Sequence, residues 1–129
     1  MAKFDATYAI QLFDIAMADL ESAKVLAATW QRGRIENIFF LVQQSVEKGL
    51  KAYLCHKNGD FPMVHDLGIL LGKMDLLPPQ GYSLVSFSQF AGIRRYETGN
   101  PHLDKSDVDV AIASGEQVLA WVSSHLKTS

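Results

Sequence analysis

The residues best suited to chemistry in this chain are Arg94, Arg95 and His102. Arginine is a permanent cation with a planar fork that matches a phosphate. Histidine can give or take a proton near neutral pH. Beside one phosphodiester, the two could cleave RNA without a metal. The imidazole would move a proton at the 2′-hydroxyl or at the leaving oxygen, and the guanidinium would stabilise the charged transition state. A plainer role is open to each. Arg95 can neutralise the negative end of a helix, and His102 can be a loop residue, because an Arg and a His at this distance often coincide by chance.

Other combinations carry less. His65-Asp66 could start a metal-dependent phosphohydrolase site, but such a site needs further ligands from other helices. His56, Asp75 and His102 have no spacing that demands it, and Asp66 is better suited to capping a helix. No metal and no cofactor are expected. The Glu-x-x-His pairs of a di-iron bundle are absent, as is a glycine-rich phosphate loop. Cys55 adjoins His56, yet helical neighbours point about 100° apart, so they do not form a nucleophile and base. A buried structural Cys is the expectation. Tyr96 and Tyr53 could stack on a base, although the spacing of Tyr53 puts it in the core. Arg32 and Arg34 add local charge without the stripe of a DNA-binding helix.

These side chains must be positioned by helices. The stretch Arg34–Leu54 places Ile35, Ile38, Phe39, Val42, Val46, Leu50 and Tyr53 at three- and four-residue steps, one face of a helix. Phe40, Leu41 and Leu54 widen that arc, as expected of a central helix touched from several sides. Gln44, Lys48 and Lys51 form an opposite polar strip, read as a solvated face. Glu47 precedes Lys51 by one turn, a stabilising order. The helix should end at His56 to Gly59, where Asn58-Gly59 tolerate a left-handed backbone.

Before it, a first helix is predicted from about Thr7 to Trp30, capped by Asp5 and buried through Phe13, Ala16, Leu20, Ala23, Ala27 and Trp30, with Ile10 and Met17 beside them. The short break Gln31-Arg32-Gly33 makes the two antiparallel. After Phe61-Pro62, His65-Asp66 opens a short helix with Leu67, Leu70, Leu71 and Met74 inward, ended by Leu77-Pro78-Pro79-Gln80-Gly81. Ser83 can cap a fourth helix to about Arg95, with Leu84, Phe87, Phe90 (or Ala91) and Arg94 on one side. Tyr96 to Leu103 reads as a loop. A last helix starts at Asp104 or Ser106 and buries Val108, Ala111, Ile112, Leu119, Val122 and Leu126. No strand pattern is present. The fold expected is all-α, an up-and-down bundle of four to five helices forming one domain over residues 1–129.

Composition agrees with a globular chain: 48% hydrophobic and 20% charged over 129 residues. The net charge of −2 gives no global pull towards nucleic acid, so binding must rest on a local patch. Cys55 is the only cysteine, which rules out an internal disulfide and makes a reducing cytoplasm the expected compartment. No run approaches the roughly 18 apolar residues of a membrane span, and the N-terminus lacks the order of a secretory signal.

Several stretches, in order along nearly the whole chain, resemble the HEPN family of small helical domains. They are Ala18-Asp19-Leu20 with Ala23; Gln43-Gln44-Ser45-Val46-Glu47-Lys48-Gly49-Leu50-Lys51-Ala52-Tyr53-Leu54; His65-Asp66-Leu67; and Arg95-Tyr96. The second stretch is the most specific. The resemblance implies a helical bundle that forms a homodimer. It implies a frequent partner, a minimal nucleotidyltransferase, with which some members form toxin–antitoxin pairs. It also implies that many active members are metal-independent ribonucleases, with an Arg and a His four to six residues apart at the dimer cleft.

Arg95 and His102 enclose Tyr96 to Pro101, the long end of that range. They are the catalytic candidates, with Arg94 and Tyr96 as substrate-binding candidates for RNA or a nucleotide. Active members often carry a polar residue directly after the Arg, where this chain has Tyr96. Some partnered toxins carry a Tyr two residues after the His, where this chain has Asp104. Other members of this branch lack a working signature and serve as binding or partner modules, which is the alternative reading.

Overall fold

The structure is a computed structural model, which describes residues 6–29, 35–79 and 105–127. Among the described residues there are four helices and no strand: α1 (Ala6–Thr29), α2 (Glu36–Asn58), α3 (Leu67–Gly72) and α4 (Lys105–Leu126). The expected cap Asp5, Trp30, and the predicted helix from Ser83 to Arg95 lie outside the described residues.

α2 packs against each of the other three helices, most extensively against α1. Its apolar arc is the reason. Ile38, Phe39, Val42, Val46, Leu50, Ala52, Tyr53, Leu54 and Cys55 are all buried. Leu54, which falls off the main face by spacing, is covered as well, as a central helix requires. α2 ends as its sequence directs. Gly59 takes a left-handed φ of 71°, and its amide donates to the Cys55 carbonyl at 2.8 Å.

α1 meets α2 through small side chains. Ala9, Ala16, Ala23 and Ala27 alternate with Leu12 and Leu20 on the buried face. Alanines let the backbones approach, and the Ser45 hydroxyl of α2 uses that proximity to donate to the Ala16 carbonyl at 2.7 Å. Lys48 reaches Asp19 of α1 at 2.6 Å. Phe13 is only partly buried, with Ala9 and Leu12 taking the places nearer the centre. Ile10 and Met17 are exposed, because each lies about a quarter-turn or more from the alanine line.

α4 closes the bundle through Val108, Ala111, Val118, Leu119 and Val122. It also buries Ser114 and Gly115, while Ile112 and Leu126 are partly covered. Two glycines set the approach. A Cβ on Gly49 would lie 2.5 Å from Leu119 Cδ2, and one on Gly115 would lie 3.3 Å from both Leu20 and Val42. Gly49 therefore weakens α2 locally but lets α4 sit close. Between α2 and α4 in chain order, α3 is capped as its sequence directs: the Asp66 carboxylate accepts from the Ile69 amide at 3.1 Å. Leu67, Leu70 and Leu71 are buried, and Met74 packs partly against the core just past the helix end.

Lys51 departs from the expected solvated strip. It is 7% exposed, and Gln44 and Lys48 are half-buried. The connection from Gly59 to Asp66 folds back over this side of α2, bringing the Phe61 ring to 5.9 Å from the Lys51 ammonium.

Candidate functional site

Arg94, Arg95, Tyr96 and His102 lie outside the described residues. Among the described residues, no group of three or more His, Cys, Asp or Glu side chains is placed to hold a metal ion. Asp75, considered above as a ligand, is engaged with Tyr53, while Asp66 caps α3. Cys55 is buried, as expected for a structural cysteine.

Two polar clusters do occur where α2 meets the stretch that follows it. In the first, Gln43, Glu47 and Lys51 stand one turn apart on the same side of α2. Glu47 is the hub. Its Oε2 accepts from Lys51 Nζ at 3.1 Å and lies 3.1 Å from His65 Nδ1. Its Oε1 is 3.5 Å from Gln43 Nε2, a long contact, and the same amide lies 3.4 Å from the His65 carbonyl oxygen. The Glu47 side chain is 3% exposed and that of Lys51 9%, whereas His65 projects outward at 81%. Burial of the ion pair is tolerable because the two charges meet and the Glu47 carboxylate has further polar contacts at His65 and Gln43.

The second cluster centres on Tyr53, two residues past Lys51 on α2. The fully buried Tyr53 donates its hydroxyl to the exposed Asp75 at 2.5 Å. Burial, reinforced by the hydrogen bond and charge of Asp75, pushes the Tyr53 hydroxyl up to about 12. The same hydrogen bond holds the Asp75 carboxyl below its ordinary value, opposed by burial and helped by the backbone amides of Leu76 and Asp75 and the charge of Lys57. The Tyr53 ring packs against Trp121 at 4.9 Å and edge-on to His125 at 5.6 Å, both from α4.

The Gln43–Glu47–Lys51–His65 arrangement is the grouping that reading the sequence missed. Its signal was present: Gln43, Glu47 and Lys51 recur at successive four-residue steps along the helix. The geometry also unites two stretches quoted above for their resemblance, Gln43–Leu54 and His65-Asp66-Leu67.

The HEPN domain model matches this chain over residues 9–125. The chain belongs to the HEPN family. The match runs through the Arg94–His102 stretch as well as through all four described helices. The crystal structure of an archaeal HEPN homologue superposes with a TM-score of 0.67 at 24% identity, over 92% of this chain and 98% of that one. That likeness shows the HEPN fold. No protein of curated function matches the sequence. No helix among the described residues is long and apolar enough to cross a membrane.

Proposed function

We propose that this HEPN protein is a metal-independent endoribonuclease acting as a homodimer, the toxin of a toxin–antitoxin pair. Membership of the family over residues 9–125 carries the reading, because the matched span includes Arg95 and His102 at a separation used by active members. His102 takes the proton of the 2′-hydroxyl, whose oxygen attacks the adjacent phosphorus. The bond to the 5′ oxygen breaks, and His102 returns the proton to that leaving oxygen. Arg95 stabilises the charge that builds on the phosphoryl oxygens. Arg94 adds a second cation along the backbone, and Tyr96 stacks on a base.

Expression of the wild type should arrest growth, and either Arg95→Ala or His102→Ala should relieve the arrest. Equal arrest by wild type and both variants would contradict the assignment.

Tyr96 directly after Arg95, and Asp104 two residues after His102, favour a second reading. In it the protein is a non-catalytic nucleotide- or protein-binding module paired with a minimal nucleotidyltransferase. Co-purification with the product of the adjacent gene, together with no RNA cleavage in chelator, would support that reading over the first.

A further inference from the structure

Lys105 stands where helix electrostatics disfavour it. It is the first residue of α4. The N-terminal end of a helix carries partial positive charge, which suits an anion such as Asp107 and repels an ammonium. The Lys105 side chain serves a different helix instead. Its Nζ donates to the backbone carbonyl of Ala27, 78 residues earlier, in the last turn of α1. The last four carbonyls of a helix have no intrahelical donor and carry its negative end. α1 has no basic residue of its own in that turn, so Lys105 supplies the cation from outside.

The contact lies at a defined end of the bundle. α4 runs beside α2 in the same direction: Gly115 faces Val42 and Val46, Gly49 faces Leu119, and Tyr53 packs on Trp121. It runs opposite to α1, since Lys24 pairs with Glu116 and Lys105 with Ala27. The end of α1 and the beginnings of α2 and α4 therefore converge. Only three peptide units separate Lys105 from His102, so chain geometry alone keeps their Cα atoms within about 11 Å of each other. Whatever fixes the start of α4 also limits where His102 can stand. For a catalytic group, a misplacement of about 1 Å can cost on the order of a hundredfold in rate.

We propose that Lys105 is a positioning residue for His102. Its ammonium holds the start of α4 against the end of α1, and so sets the point from which the chain reaches back to His102. The inference rests on the reading of His102 as the general acid–base. It gives Lys105 no contact with RNA. The other tie between the same two helices, Lys24 with Glu116, lies about three turns further into α4 and has no such lever on His102.

The test measures steady-state RNA cleavage in chelator by the full chain and three variants, well below their melting temperatures. Lys105→Met keeps the stem and removes the charge and the donor. It should lower kcat about tenfold with little change in KM. Lys105→Arg, which keeps a cationic donor, should restore most of the rate, and Lys24→Ala should leave kcat unchanged. An unaltered kcat in Lys105→Met overturns the proposal. So does an equal loss in Lys24→Ala, which would make the effect one of α1–α4 packing in general. A rise in KM at constant kcat also overturns it, because Lys105 would then be a contact to the RNA backbone. A wild type without cleavage ends the ribonuclease reading, and imidazole NMR then decides on Lys105. In Lys105→Met the His102 resonances should move while those of His56 and His125, at the far ends of α2 and α4, stay in place. Unmoved His102 resonances refute the positioning role.

Discussion

Two polar ties join the stretch following α2 to that helix in different ways: His65 contacts the buried Glu47 carboxylate, and Asp75 accepts one phenolic hydrogen bond. The first tie is built around a buried carboxylate, Glu47, with Lys51 and His65 on a single oxygen. The second keeps its charge outside: Asp75 is exposed, and what is buried is the neutral Tyr53. The difference sets what each tie does when disturbed. A buried charge that loses its partner is stranded in a poorly solvated place. An exposed carboxylate that loses its phenol turns to water. The Glu47 cluster is therefore brittle, and the Tyr53–Asp75 bond is forgiving.

The largest effect should come from stranding Glu47. Lys51→Met is expected to lower stability by about 3–5 kcal/mol in denaturant unfolding. Glu47→Leu together with Lys51→Met should recover most of that loss, since no buried charge then remains. A single-variant cost below about 1 kcal/mol would remove the contrast with the surface pairs. Tyr53→Phe deletes only the hydroxyl of the second tie and should cost about 1 kcal/mol. Lys24→Ala breaks the 3.0 Å pair with Glu116 between α1 and α4, both partners substantially exposed, and should cost less than about 0.5 kcal/mol.

The two ties should also separate by pH. Tyr53 has a folded value raised from 10.0 to about 12, so the stability tied to its protonated form is fully present below pH 10.0 and lost as pH rises towards about 12. Asp75 has a lowered folded value, so its contribution is present above the ordinary carboxylate range and is lost as pH falls through that lowered value. Thermal unfolding of wild type and Tyr53→Phe across both limits checks this. The variant should lose the alkaline dependence and most of the acid one.

The helical frame was readable because it depends on local rules. The Asp66 cap, the Gly59 terminus and the buried line Val42, Val46, Leu50 and Tyr53 each follow from neighbours within a turn or two. Lys51 was misread for the complementary reason. Its place in a polar strip is a fact about one helix, whereas its cover, Phe61 and His65, comes from the connection folding back. The Tyr53–Asp75 bond was hidden in the same way: spacing put the ring in the core, but nothing local says where its hydroxyl turns. Ile10 and Met17, which flank the buried line by spacing, are exposed beside it. Arg95 and His102 stand out by residue type and by family resemblance.

The central functional claim is tested most directly by incubating purified protein with single-stranded RNA in excess chelator and identifying the new ends. The account predicts cleavage that leaves 2′,3′-cyclic phosphates and 5′-hydroxyls, abolished in both Arg95→Ala and His102→Ala. No cleavage by the wild type, or cleavage that survives both substitutions, would contradict it.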